Sequence, residues 1–342
     1  MPMVEKISPY VFRILGLNPG KFTLQGTNTY VVGTGPRRIL LDTGEGKPGY
    51  MPLLEAALSH LGNVQISHVL LTHWHRDHSG GLGALLDRCR EQPAKFTELP
   101  EVWKRHCPEH DPKAIHALLK SPIRINHISH GMVFKVDGAT LRAIHTPGHT
   151  SDHTAFYFEE ENAIFSGDCV IGQGSVVFED LHQYIRSLKV LRSFNCGRIY
   201  PGHGPIIEDG CTTLDSYIRH RMDREEEILH VLSTRPITHF APHEHEGGAD
   251  SDDGTTAAMR AASAFYLHYH QQTVAGFPGS SSIPWTARDL VRVIYAKYPK
   301  SLHGAAESSV LLHLAKLRAE DKVFAAQADG VTYWSLTPKR TL

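Results

Sequence analysis

The chain has 342 residues, 41% of them apolar, and a formal net charge of −1, enough length for one large domain and a smaller one. That charge balance excludes a globally basic nucleic-acid coat, and no apolar run approaches the roughly 20 residues that a membrane-spanning helix needs. The first ten residues lack the apolar core of a secretory leader, and five scattered cysteines without a C-x-x-C pair read as reduced thiols. The expectation is an intracellular protein of the mitochondrial matrix or cytoplasm, with no membrane association and no obligate protein partner evident.

In chain order, Tyr10–Leu15, Asn28–Val32, Arg38–Leu41 and Ile66–Leu71 read as strands separated by Gly, Pro and Asn turns. Leu53, Leu54, Ala57 and Leu58 fall at helical spacing between residues 44 and 62, as do Leu82, Leu85 and Leu86 between 79 and 90. A second set of strands follows at Ile123–Asn126, Val133–Val136, Thr140–Thr146, Thr154–Phe158, Ala163–Phe165 and Arg198–Tyr200. Hairpins interleaved with helices predict an α/β sandwich with helices outside.

A long amphipathic helix is expected from Cys211 to Leu232, and composition then shifts. Residues 234–284 include the polar runs GGADSDDGTT and AGFPGSSS around a helical stretch, Thr256 to His270. The predicted organisation is a large domain over 1–233, a linker or insertion over 234–284, and a small domain over 285–342. In the last, Thr286 can cap a helix carrying Leu290, Val291 and Ile294. Ser308 or Ser309 can start another helix, and Asp329-Gly330 marks a hairpin between 322–328 and 331–337. Helices followed by a terminal hairpin suggest a winged-helix-like unit.

Histidine is the unusual count, 24 in all. Four potential ligands stand within the run Leu71-Thr72-His73-Trp74-His75-Arg76-Asp77-His78-Ser79-Gly80-Gly81, directly after an apolar strand. In extended backbone, His73 and His75 face one side and can grip one cation, while Asp77 and His78 beyond the turn can face a second. Three later strand ends add one group each: His149 in His145-Thr146-Pro147-Gly148-His149, Asp168 in Ser166-Gly167-Asp168, and His203 in Tyr200-Pro201-Gly202-His203-Gly204. Imidazole and carboxylate are donors that zinc favours.

HxHxDH, then PGH, then GD, then PGHG is the pattern of the metallo-β-lactamase superfamily, which the first two hundred residues resemble. The resemblance implies the αββα sandwich of that fold, with two zinc ions per chain. It implies that His73, His75 and His149 hold one zinc, that Asp77, His78 and His203 hold the other, and that Asp168 bridges them. Asp42, in Ile39-Leu40-Leu41-Asp42-Thr43-Gly44, would orient ligands without binding metal. Paired dications lower the pKa of a shared water toward about 7, which makes hydroxide available at neutral pH. Asp77, besides ligating, can take the water's proton, and Asp77 and Asp168 are the catalytic candidates.

Within the superfamily, the closer resemblance is to the beta-lactamase-like protein 2 family, similar to single-strand-selective endoribonucleases. It is carried by LGLNPG at 15–20, LQGTNTY at 24–30, GPRRIL at 35–40, residues 72–81, residues 160–169 and VFEDL at 177–181, together with the terminal helices and hairpin. Single-stranded RNA is therefore the expected substrate. Acyl-carrier-protein thioesterases of fungal type and the glyoxalase II group look similar through the same NPG, QGTNTY and THWH motifs, so a thioester is the alternative. The third reading, a nucleic-acid-binding protein with a degenerate metal site, is opposed by the complete ligand set.

The residues from 285 onward carry nine Lys and Arg against five Asp and Glu, about +4. Lys297, Lys300, Lys316, Arg318 and Lys322 are candidates for tracking an RNA backbone, and Tyr333 and Trp334 for stacking on unpaired bases. Asn28 can reach toward substrate from the TNTY turn, and His153 can support the metal ligands from four residues beyond His149. Cys169 is assigned to packing.

Overall fold

The computed structural model describes residues 1–92, 98–111, 115, 119, 123–234, 285–328 and 330–338. It resolves into two compact units, Met1–Ile218 and Arg219–Leu342.

The first unit is built on two mixed sheets. Seven strands run in spatial order: β1 (Val4–Lys6), β2 (Val11–Leu15), β3 (Asn28–Val32), β4 (Arg37–Leu41), β5 (Gln65–Leu71), β6 (Glu101–Lys104) and β7 (Ile125–His127). The first three pairings, from β1 to β4, are antiparallel, and those from β4 to β7 are parallel. The second sheet has the order β12 (Arg198–Pro201), β11 (Ala163–Gly167), β10 (Thr154–Phe158), β9 (Ala139–His145), β8 (Val133–Val136). Only β11 and β12 pair in parallel there.

Alternation along the strands divides the core in two. Val11, Tyr30, Val32, Ile39, Leu41 and Leu70 meet Phe134, Leu141, Phe156, Phe158, Phe165 and Tyr200 between the sheets. The opposite face of the first sheet, with Ile14, Val31, Leu40, Val69 and Leu71, packs on helices α1 (Tyr50–His60) and α3 (Leu82–Glu91) through Leu54, Leu58, Leu82, Leu85 and Leu86. Helix α2 (Arg76–Ser79) is a single turn after β5, and α4 (Leu181–Ser193) is tied to the second sheet's loops by Tyr184 Oη to Cys169 O, 2.8 Å, and Ser187 Oγ to Pro147 O, 2.7 Å.

Helix α5 (Gly210–Ser233) crosses the division between the units. The reason is its last turns: Ile228, Val231 and Leu232 are buried with Leu290, Val291, Val310, Leu314 and Trp334 of the second unit. That unit continues with α6 (Ala287–Ile294), α7 (His303–Ala319) and the hairpin β13 (Val323–Ala328) and β14 (Val331–Leu336). Thr286 and Asp289 form a reciprocal capping box at the start of α6.

Differences from the sequence reading are local. Helix α7 starts at His303, ahead of Ser308, because the 3-10 turn Lys300–Leu302 feeds directly into it. The stretch 90–130 holds an unforeseen strand, β6, and β1 and α4 were not foreseen either. The expected linker lies outside the described residues apart from Thr234, as does the helical stretch Thr256 to His270.

Candidate metal centre

Strand polarity explains why distant residues converge. Strands β4 and β5 are parallel, and β9, β11 and β12 share one direction because β10 runs antiparallel to both β9 and β11. Asp42 follows β4, the run 72–79 follows β5, His149 follows β9, Asp168 follows β11 and His203 follows β12. All seven metal candidates thus leave strand ends, and they form two groups able to hold a metal ion: His73, His75, His149 and Asp168; and Asp77, His78, Asp168 and His203.

In the first group, His73 Nε2 lies 2.9 Å from His75 Nδ1, and His149 Nε2 lies 3.2 and 3.0 Å from those same atoms. Asp168 Oδ2 is 3.6 Å from His149 Nε2. In the second, His78 Nε2 is 3.2 Å from His203 Nε2, 3.3 Å from Asp77 Oδ2 and 3.3 Å from Asp168 Oδ1. His203 Nε2 closes the figure at 3.1 Å from Asp77 Oδ2 and 3.3 Å from Asp168 Oδ2. Tetrahedral zinc with bonds of 2.0–2.1 Å separates its donors by about 3.3–3.4 Å, close to these edges.

The far side of each ring decides which nitrogen carries the proton. Thr72 Oγ1 donates to Asp42 Oδ2 at 2.9 Å, so it accepts from His73 Nδ1, also 2.9 Å away. His149 Nδ1 donates to Val177 O at 2.7 Å, and His78 Nδ1 donates to Asp42 Oδ2 at 2.8 Å. Each ring is thereby locked with its Nε2 facing the centre, and in the neutral imidazole that atom is a bare lone pair. In the first group, the Nε2 lone pairs of His73 and His149 face one another at 3.2 Å. That arrangement repels itself unless a cation stands between, and in this sense the donor set fits the metals that the fold implies.

Protonation tendencies divide the centre in the same way. Burial, followed by neighbouring imidazoles, holds His73 far below the ordinary histidine range and lowers His75 to about 4, so both are neutral ligands at pH 7. Burial also works against charge on His203, but Asp168 and Asp77 outweigh it and push that group up to about 9. His78 is raised by Asp168, Asp77 and Asp42 against the same burial cost. Asp77 and Asp168 stay ionised because their imidazole neighbours overcome the upward pull of desolvation. This half therefore carries a negative potential that draws either protons or a dication.

Close backbone approach completes the centre. A Cβ on Gly202 would stand 2.4 Å from Asp168 Oδ1 and 2.9 Å from His78 Cε1, so only glycine fits beside Asp168. Gly167 sits at φ +48°, turning the chain from β11 into Asp168.

His153 stands behind the ligands: Thr146 Oγ1 lies 2.8 Å from its Nδ1, and its Nε2 accepts from the Asp168 backbone N–H at 3.1 Å. Asn28, expected to support the ligands or meet substrate, is buried, its Nδ2 donating to Pro201 O and Gly204 O at 2.9 Å each, which braces the loop of His203. Thr72, Thr146 and the Val177 carbonyl support the ligands and went unpredicted. The two threonines neighbour motif residues, whereas a carbonyl contact leaves no trace in residue type.

In the second unit, Lys297, Lys300 and Arg318 are exposed. Lys316 is buried 2.5 Å from Glu225 Oε2, whereas Lys322 is exposed and lies 2.9 Å from Glu225 Oε1. Tyr333 and Trp334 are buried too. They are successive residues of β14, so the strand is covered on both faces there and neither ring is presented to a base. No helix among the described residues is long and apolar enough to cross a membrane.

Comparison with known proteins agrees with this geometry. The sequence profile of the Metallo-beta-lactamase superfamily matches residues 22–203, and that of the Beta-lactamase associated winged helix domain matches 286–334. The chain is 33% identical over 355 residues to the Beta-lactamase-like protein 2 homolog of Drosophila melanogaster, covering 100% of this chain and 99% of that one. It is also 44% identical over 229 residues to an Atrochrysone carboxyl ACP thioesterase of Cryptosporiopsis sp., covering 67% of this chain and 65% of that one. A metallo-beta-lactamase family protein from Thermus thermophilus superposes with a TM-score of 0.61 at 21% identity, covering 97% of this chain and 100% of that one, a likeness of fold.

Proposed function

The chain belongs to the metallo-beta-lactamase superfamily, and from that premise we propose that it is a dinuclear zinc hydrolase that cleaves phosphodiester bonds of single-stranded RNA. The observation that carries the hydrolytic reading is the pair of donor groups sharing Asp168 at the floor of one open cavity of about 410 Å³. Bound zinc would lower the pKa of a water from about 15.7 toward about 7 and offset the negative charge that grows on an attacked phosphoryl group.

The chain's own groups supply the rest. His73, His75 and His149 offer neutral nitrogen donors on one side, and Asp77, His78 and His203 offer donors on the other, with the Asp168 carboxylate between. Asp77, the most exposed of the three carboxylates at the centre, lines the cavity beside His75 and can accept a proton from the attacking water. Asp42 and Val177 O fix ring orientation, so these donors need no rearrangement when substrate arrives.

The RNA assignment is supported by the full-length match to the Beta-lactamase-like protein 2 homolog, which runs through the winged-helix unit, and by exposed Lys297, Lys300 and Arg318 there. The thioester reading has its own support. The match to the carrier-protein thioesterase spans 67% of this chain, and Leu24, Ile171 and Val176 line the cavity. A side-by-side assay of zinc-loaded protein on single-stranded RNA, double-stranded RNA, an acyl thioester and S-lactoylglutathione decides between them. Turnover of single-stranded RNA alone is expected, and rapid thioester turnover with inert RNA overturns the proposal.

A further inference from the structure

Among the described residues, the two most exposed large apolar side chains are Phe22 at 70% and Val177 at 62%. Singly exposed apolar residues are ordinary. These two line the same cavity, together with the ligands His75, Asp77, His149, Asp168 and His203.

Neither is free to fold away. Phe22 sits on a tight turn closed by Gly20 N to Leu24 O at 3.1 Å, by Thr23 Oγ1 to Asn18 O at 2.6 Å and by Gly26 N to Thr23 O at 2.8 Å. Leu24 holds φ +54° to close that turn. Val177 is anchored through its carbonyl, which accepts the His149 Nδ1 proton at 2.7 Å, and the next residues are fixed by Glu179 N and Asp180 N bonding to Gly148 O at 2.7 and 3.0 Å. A flat ring and a branched apolar side chain are thus held out to solvent at the mouth of the metal cavity. Lys21 Nζ lies 5.7 Å from the Phe22 ring centre, so a cation accompanies the aromatic face.

We propose that Phe22 and Val177, with Lys21 beside them, form a subsite for one nucleobase of single-stranded RNA, adjacent to the phosphodiester at the metal centre. An aromatic face next to a lysine matches a base next to a phosphate, the pairing by which proteins hold unpaired nucleic acid. Paired bases offer only their edges, so the subsite selects unstacked strands. A long acyl chain matches it poorly: Phe22 and Val177 stand open to water, with Lys21, Gln173, Ser175 and Glu179 around them, and form no closed apolar channel. The proposal rests on the RNA reading above and names the part of the substrate that the mouth recognises.

The test uses the zinc-loaded full chain and a set of RNA oligonucleotides carrying a single abasic site at each successive position. Phe22→Ala is expected to lower kcat/KM on intact RNA about 5- to 150-fold, chiefly through KM, with Phe22→Trp restoring it. One abasic position should cause a loss of the same size in wild type and no further loss in Phe22→Ala. Because Phe22 is exposed, its replacement leaves the core intact. RNA cleaved equally well by wild type and Phe22→Ala overturns the subsite while the RNA reading stands. Wild type inert on RNA and active on an acyl thioester overturns both.

Discussion

Asp42 Oδ2 stands 2.8 Å from His78 Nδ1, and the same carboxylate accepts the Thr72 backbone N–H at 2.8 Å through Oδ1. One residue that touches no proposed metal position therefore sets both the ring of His78 and the start of the run containing His73 and His75. Asp42 adopts φ +58°, a conformation that costs a non-glycine residue free energy, which places this contact among the features the fold sustains against backbone preference.

Asp42→Asn keeps the shape of the side chain and weakens the acceptor. Zinc affinity of the group containing His78 is expected to fall about 10- to 100-fold, with less change at the group containing His149. Competition titration against a fluorescent chelator measures the two affinities separately. An unchanged affinity at the group containing His78 would show that Asp42 does not act through His78.

Asp168 is the one candidate ligand common to both groups. Its oxygens lie 3.3 Å from His78 Nε2, 3.3 Å from His203 Nε2 and 3.6 Å from His149 Nε2. Asp168→Ala should reduce bound zinc from two ions toward none and lower hydrolysis by on the order of 10³-fold or more, while far-UV circular dichroism is preserved. Metal content by elemental analysis, set beside activity, tests this. Wild-type protein stripped of both metals and still fully active would refute the mechanism.

How far the chain could be read depended on where the signal lay. The candidate ligands were legible because zinc-binding residue types recur directly after apolar strands, with a glycine immediately before His149, Asp168 and His203. Helix α4 obeys the same spacing rule through Leu181, Tyr184, Ile185, Leu188 and Leu191, with Asp180 capping it, and could have been found. Strand β6 could not. Its Lys104 is fully buried, because Asp111 and Asp152 each approach its ammonium at 2.6 Å, and composition assigns a lysine to solvent. The burial of Lys316 was hidden for the same reason: only the fold reveals that Glu225 lies beside it.

Glu225 and Lys316 are almost wholly inaccessible and 2.5 Å apart. Removing one partner of a buried pair strands the other charge, at a cost of about 3–5 kcal/mol. Glu225→Ala should approach that loss in urea unfolding followed through Trp285 and Trp334, softened because Glu320 remains 2.8 Å from the Lys316 ammonium. Lys316→Met, which strands no cation and leaves Glu225 with Lys322, should cost less. A larger loss for Lys316→Met than for Glu225→Ala would contradict this ordering.

His313 adds a pH dependence to the same unit. It is fully buried on α7, neither ring nitrogen has a hydrogen-bond partner among the described residues, and its pKa is lowered to about 3 by burial, then by Arg221, Arg224, Lys316 and His220. The folded value lies below the unfolded one, about 6.5, so the unfolded chain binds the proton first as pH falls. The stabilisation from keeping His313 neutral is complete above about pH 6.5 and is lost toward pH 3, at about 1.4 kcal/mol per unit within that window. His313→Leu removes the titration and the unpaired nitrogens together. Between pH 7.5 and pH 5, wild type should lose about 2 kcal/mol more than His313→Leu in tryptophan-monitored urea unfolding. Comparing the two proteins cancels the acid sensitivity of the metal centre, which both share. Parallel losses would mean that the imidazole finds a proton-stabilising partner in the folded state.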